Sequence, residues 1–260
     1  MNVLRLLKRV VLFIVILFVL PLSWMVAAYY TDNWQGVNKS SYVPVGVAQY
    51  PDYNIGESVI QVYAARAARW RGAFGVHTWM AAKRANEQHF TRFEVIGYRV
   101  YWGGDAVRVR IGTSNSNWYG NPSMLLREIR GKEQVEYLID RLHAAAVSYP
   151  HQRRYHVWPG PNSNTFTAYL ARQVPELRLE LPSNAIGKDY LLGGSIIALT
   201  PSQTGGQISL GGYGGILAGF EEGLEINVLG LTVGIDFNPL ALKLPGIGRI
   251  GLNDVNRKAM

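Results

Sequence analysis

Cysteine is absent from the 260 residues, so the chain has no disulfide, no thiolate metal site and no thiol nucleophile. Acidic side chains are scarce, 18 against 26 basic ones, which leaves a net charge of +8 and a pI near 9.7. The basic excess lies largely between Arg66 and Arg172 and suits anionic lipid headgroups or other anionic envelope polymers. Nucleic acid is the usual partner at such a pI, but no recognised nucleic-acid motif occurs and none is expected to bind. The five histidines are far apart in sequence. No HExxH, zinc-spaced cluster, dinucleotide fingerprint or calcium loop is present, so neither a metal nor a cofactor is expected.

Long apolar runs are confined to one place. Val10 to Ala28 is uninterrupted by charge and long enough to cross hydrocarbon as a helix. Arg5, Lys8 and Arg9 precede it, which by the positive-inside bias keeps the N-terminus in the cytoplasm. The expectation is a single-pass anchor in the cytoplasmic membrane, about residues 1–30, with the rest of the chain outside. A signal peptide cut after Ala28 is the competing reading, but the run exceeds a normal signal core and Trp24, Tyr29 and Tyr30 suit an interfacial belt. Residues 31–57 read as a linker, since they carry Gly, Pro, Asn and Ser with no sustained period.

Residues 58–190 read as an α+β domain. Ser58 to Trp70 places Val59, Tyr63, Ala67 and Trp70 near helical spacing, which predicts a helix. Phe74 to Lys83 and Phe90 to Val100 predict an antiparallel strand pair turning near Asn86, and Val107 to Ile111 a third strand. Lys132 to Val147 is an amphipathic helix with Val135, Leu138, Ile139 and Leu142 on one stripe. Arg154 to Trp158 predicts a strand ended by Pro159-Gly160-Pro161, followed by a helix from Asn162 to Gln173. Asn162 or Ser163 would cap that helix, so Ser163 stands where free N–H groups and the helix dipole favour an oxyanion. Two readings stay open there: a nucleophile, or no more than a helix cap.

Asn162-Ser163-x-x-Phe166 resembles the Asn-Cys-x-x-Phe segment of the permuted papain-like superfamily, which includes cell-wall amidases and lecithin:retinol acyltransferase-like proteins. Val76-His77-Thr78-Trp79 precedes it, in the order of that superfamily's histidine strand and nucleophile helix. Ser163 occupies the position of the family's cysteine. The resemblance implies a permuted papain-like fold and an amide or ester hydrolase or acyltransferase with Ser163 as nucleophile and His77 as base. The hairpin register sets His77 beside Glu94, Val95 or Ile96, which makes Glu94 the candidate orienting group and His89, nearer the turn, the alternative. Asn162, Asn164, Trp79 and His156 are the candidate oxyanion and substrate contacts. The segments GVHTWMAAK, FEVIGYRV, WYGNP, YHVWPGPNSNTF and AIGKDYL together resemble an uncharacterised family of bacterial membrane-anchored domains of unknown function, over most of the chain from about residue 58. A serine cannot form the thiolate on which the papain-like architecture relies, so a catalytically silent binding or scaffold module is the second expectation.

Residues 191–260 change character, with short apolar runs between glycine pairs that predict hairpins of a small β-sheet as a C-terminal extension. No Gly-Lys-Ser/Thr ending turns these glycines into a phosphate loop.

Overall fold

The computed structural model describes residues 3–31, 56–237 and 239–251. Most of the expected linker, 32–55, therefore lies outside the described residues. The N-terminal helix runs from Val3 to Thr31, the one described helix long and apolar enough to cross a membrane. It comprises α1 (Val3–Ile14), a π turn (Val15–Val19) and α2 (Leu20–Thr31). The wide turn has a local cause. Pro21 has no N–H and its ring would strike the carbonyl four residues back, and just before it the Leu20 N–H reaches the Val15 carbonyl instead of the ordinary partner.

The folded region is α+β and holds two antiparallel sheets. The first has five strands, β1 (Ser58–Arg66), β2 (Val76–Lys83), β3 (Phe90–Val95), β4 (Val107–Gly112) and β5 (Ser123–Gly131), in the order β4-β3-β2-β1-β5. Ser58 to Arg66 is thus a strand and not the start of a helix. Val59 and Tyr63 satisfy the i, i+4 spacing of a helix face, but they equally share one face of a pleat. Paired on both edges and covered on both faces, β1 is buried from Ser58 to Ala65.

One face of this sheet carries the main core. Ile60, Val62, Met80, Phe93 and Val95 pack against Val135, Leu138, Ile139 and Leu142 of α4 (Glu133–Ser148) and Phe166 and Leu170 of α5 (Ser163–Gln173). On the other face Tyr63, Ala65 and Trp79 are covered by Trp118 and Leu125. The Trp79 indole donates to the Ser114 carbonyl at 2.8 Å, which pins the 113–121 loop over the sheet.

Two more expectations are corrected. β3 stops at Val95, because Ile96-Gly97 leads into a helical turn, α3 (Tyr98–Tyr101). Gly97 is required there, since a Cβ would stand 2.3 Å from the Tyr155 ring. Arg154 to Trp158 is not a strand either. Its backbone finds no ladder, and the His156 N–H bonds to the Pro161 carbonyl across a local turn.

The second sheet is a seven-stranded meander: β6 (Ile197–Leu199), β7 (Gly205–Ser209), β8 (Gly214–Gly219), β9 (Gly223–Val228), β10 (Leu231–Phe237), β11 (Leu240–Leu244) and β12 (Gly248–Gly251). Its polarity is reversed. In β9 Glu225 and Asn227 are buried while Leu224, Ile226 and Val228 are exposed. The buried polar face packs on residues 172–190. Lys188 meets Asp189 and Glu225, Lys243 bridges Glu225 (2.9 Å) and Glu180 (2.5 Å), and Asn227 donates to Asp189 at 2.7 Å. Burial opposes the charge on Lys188, but Asp189 and Glu225 outweigh it and hold its pKa above the ordinary lysine value. A buried charge persists only when paired in this way.

Candidate functional site

Asn162 caps α5 with a reciprocal capping box. Its Oδ1 accepts from the Asn164 N–H at 2.9 Å and the Thr165 N–H at 3.2 Å, while the Thr165 hydroxyl accepts from the Asn162 N–H at 3.1 Å. The Asn162 amide then donates to the carbonyls of Val157 and Ile186, each at 3.0 Å. Gly187 makes room for it: φ is +95° and a Cβ there would stand 2.2 Å from Asn162 Nδ2. Asn164 is equally occupied. Its Oδ1 accepts from the Thr78 hydroxyl at 2.9 Å, and its amide donates to Val76 at 2.9 Å and Ile186 at 2.8 Å. These bonds tie the first turn of α5 to β2 and to the 183–190 segment.

Ser163 stands between two committed asparagines. Its hydroxyl has no hydrogen bond among the described residues, and with Asn162 holding the next two N–H groups, the Ser163 N–H is the open donor of the first turn. Ser163, His77, Asn162 and Asn164 line one cleft of about 530 Å³. Eight aromatic side chains, from Trp70 and Phe74 through Tyr98, Tyr101, Trp118, Tyr119 and Tyr155 to Trp158, stand in its wall. Arg71 is the one Lys, Arg, Asp or Glu in the lining.

His77 alternates with Thr78 along β2, so it points to the face away from α5, where its ring stacks on Trp118 at 3.7 Å and 7°. It is 6% exposed, and its Nε2 is buried with no partner. Burial first, and the Arg92 charge second, push its pKa well below the ordinary histidine value, so the imidazole is neutral at neutral pH. Among the described residues no hydrogen bond joins His77 to Ser163.

Glu94 shares that face of the sheet but is engaged elsewhere. Its carboxylate is 2.7 Å from Arg92 Nε and 3.0 Å from Arg110 Nε, and Arg92 lies 4.3 Å over the Trp79 ring. Trp79 is buried between Tyr63 and His77, with ring centroids at 5.6 and 5.7 Å. His156 is exposed, with Nε2 accepting from Arg154 Nε at 3.4 Å, and His89 is exposed beside the β2–β3 turn. Neither lines the cleft.

The cleft therefore gathers Ser163, His77, Asn162 and Asn164, and leaves Glu94, His89, Trp79 and His156 outside. Arg71, Tyr98, Tyr101 and Tyr155 were missed as lining residues. The dense aromatics of Tyr98-Arg99-Val100-Tyr101-Trp102 are the available signal, hidden by a strand reading that runs through Tyr98 to Val100. Among the described residues no three His, Cys, Asp or Glu side chains converge as a metal site needs.

The arrangement as a whole is an aromatic cleft on an antiparallel sheet, with one open serine at a helix N-terminus. Residues 57–190 match the family described as protein of unknown function (DUF3750), and the chain belongs to it. The matched segment spans the five-stranded sheet with α4 and α5 and ends before the seven-stranded sheet. No curated protein and no solved structure matches the chain.

Proposed function

We propose that this protein is a membrane-anchored envelope module that binds an amphipathic, anionic ligand in the aromatic cleft. The N-terminal helix is its retained single-pass anchor in the cytoplasmic membrane, and the folded region lies on the far side from Arg5, Lys8 and Arg9. The observation that carries the reading is the condition of His77. An imidazole stacked on Trp118, without a bond to Ser163 and without a carboxylate behind it, lacks the two partners that a nucleophile–base–orienter site needs. The cleft volume falls in the range of ordinary small-molecule sites, roughly 300–1,000 Å³. Its aromatic wall suits an apolar chain and Arg71 an acidic head.

A second reading rests on Ser163 itself. Its open N–H and hydroxyl at the start of α5, in one cleft with His77, support a serine-type amide or ester hydrolase or acyltransferase on a permuted papain-like fold. Asn162 and Asn164 would then position α5, since their amides are engaged, and the Ser163 N–H would face the oxyanion.

The full chain in nanodiscs separates the two. A serine-directed fluorophosphonate is expected to label wild type no more than Ser163→Ala. A fluorescent polyene fatty acid is expected to bind saturably to wild type and Ser163→Ala but not to Ala68→Trp, which fills the cleft. Labelling that depends on Ser163 would establish the second reading, and an Ala68→Trp titration identical to wild type would end the first.

A further inference from the structure

We propose that the apolar outer face of the seven-stranded sheet is a lipid-facing surface, seated in the outer leaflet of the membrane that the N-terminal helix crosses. The alternation of this sheet is reversed from that of a water-facing sheet. Buried positions carry Gln207, Glu225, Asn227, Asp236 and Lys243, and the exposed rows carry Ile216, Ile226, Ile235, Phe237, Leu240 and Leu242 with no charged side chain among them. Register aligns the apolar rows across neighbouring strands: Ile208↔Ile216↔Ile226, and Leu224↔Ile235↔Leu242↔Ile250. Isolated exposed apolar residues are ordinary, but a whole sheet face of them marks an interaction surface.

The helix identifies the occupant. Every described side chain of α1 is exposed, whereas from Val15 onward one stripe is covered, with Pro21, Met25 and Tyr29 buried. The π turn touches β10, and Gly246 approaches Met25 and Leu22. Within α1 only the residues after Arg9, five from Val10 to Ile14, belong to the apolar span, and they rise about 7.5 Å at 1.5 Å per residue. The hydrocarbon is about 30 Å thick. A helix that spans it must carry the flanking surface of the folded region into the same hydrocarbon, and beside the π turn, below the Arg69–Ala73 turn that flanks α2, that surface is β10 of this sheet. Among the described residues β6 and β12 end the sheet with no further strand beside them, so the sheet lies face-on in one leaflet and does not cross. The inference shares with the proposed function only the reading of the helix as an anchor.

The absence of cysteine makes the test direct. Full-length protein in vesicles would carry a single environment-sensitive fluorophore on Ile216→Cys or Leu242→Cys. Phe13→Cys, on the exposed side of the helix, and Tyr137→Cys, exposed on α4, serve as references. Ile216 and Leu242 labels are expected to shift to the blue and to lose most emission to doxyl-labelled lipid but little to aqueous iodide, as at Phe13. The Tyr137 label should respond only to iodide. Iodide quenching at both sheet sites with lipid quenching at Phe13 would overturn the inference and leave the anchor standing. Protection of the sheet sites from both quenchers would overturn it in favour of a second copy on this face. Loss of lipid quenching at Phe13 as well would remove the anchor and the inference together.

Discussion

Replacing Asn164 by alanine tests whether the Asn162-Ser163-Asn164 corner is built for stability on its two flanks and left open only at its centre. Asn164 makes three side-chain hydrogen bonds, buried ones to Thr78 and Val76, each of 2.9 Å, and a part-buried one to Ile186 of 2.8 Å. Ile186 keeps a second donor in Asn162, but the Thr78 hydroxyl and the Val76 carbonyl lose their side-chain partner inside the protein. With each bond contributing about 1 kcal/mol net and the abandoned groups adding a desolvation cost, Asn164→Ala should destabilise by about 3 kcal/mol. For a urea slope of about 2 kcal/mol per molar, the midpoint should fall by about 1.5 M. Ser163→Ala breaks no side-chain bond and should move the midpoint by less than about 0.3 M, the ordinary range for a neutral substitution. The assay is urea unfolding of the full chain in mild detergent, followed by tryptophan emission. A shift for Asn164→Ala as small as that of Ser163→Ala would refute the argument, because the amide network would then carry no weight.

Glu94→Gln should be more damaging, by about 3–5 kcal/mol in the same assay, because it leaves the Arg92 guanidinium buried without its carboxylate. The double variant Arg92→Met/Glu94→Leu should recover much of that loss, and equal destabilisation of the single and double variants would show that the pair is not the reason. Protonation of His77 sets an acid dependence. Its folded pKa lies below the unfolded 6.5, so on acidification the unfolded chain takes up the proton first and stability falls as the pH drops below about 6.5. Unfolding midpoints between pH 7 and 5 should therefore decline more steeply for wild type than for His77→Gln; parallel curves would contradict the burial argument.

The elements that could be read from sequence are those whose pattern has one solution. α4 shows a single apolar stripe, and β4 alternates as VRVRI, so each was visible in its own residues. β1 was not, because Val59 and Tyr63 fit both a helix face and a pleat face, and only pairing with β2 and β5 chooses between them. β5, SMLLREIRG, escaped notice because its half-buried edge position imposes no clean alternation. At the corner, the helix start was legible from Asn162 and Pro161, but the role of Asn164 was not: its partners Val76, Thr78 and Ile186 are distant in sequence.

By itself the sequence determined the apolar N-terminal span, the cysteine-free chemistry, the amphipathic helix and a helix start capped by Asn162 or Ser163, since each follows from composition or from neighbours within a few residues. The tertiary structure alone decided that Glu94 answers to Arg92 and Arg110 and not to His77, because three side chains on neighbouring strands compete for one carboxylate. It also decided which face of the glycine-rich strands is outward. Alternation has a period of two and carries no sign. Only the charges of Lys188, Glu180 and Asp189, waiting on the folded region, turned the polar rows inward and left the apolar rows outside.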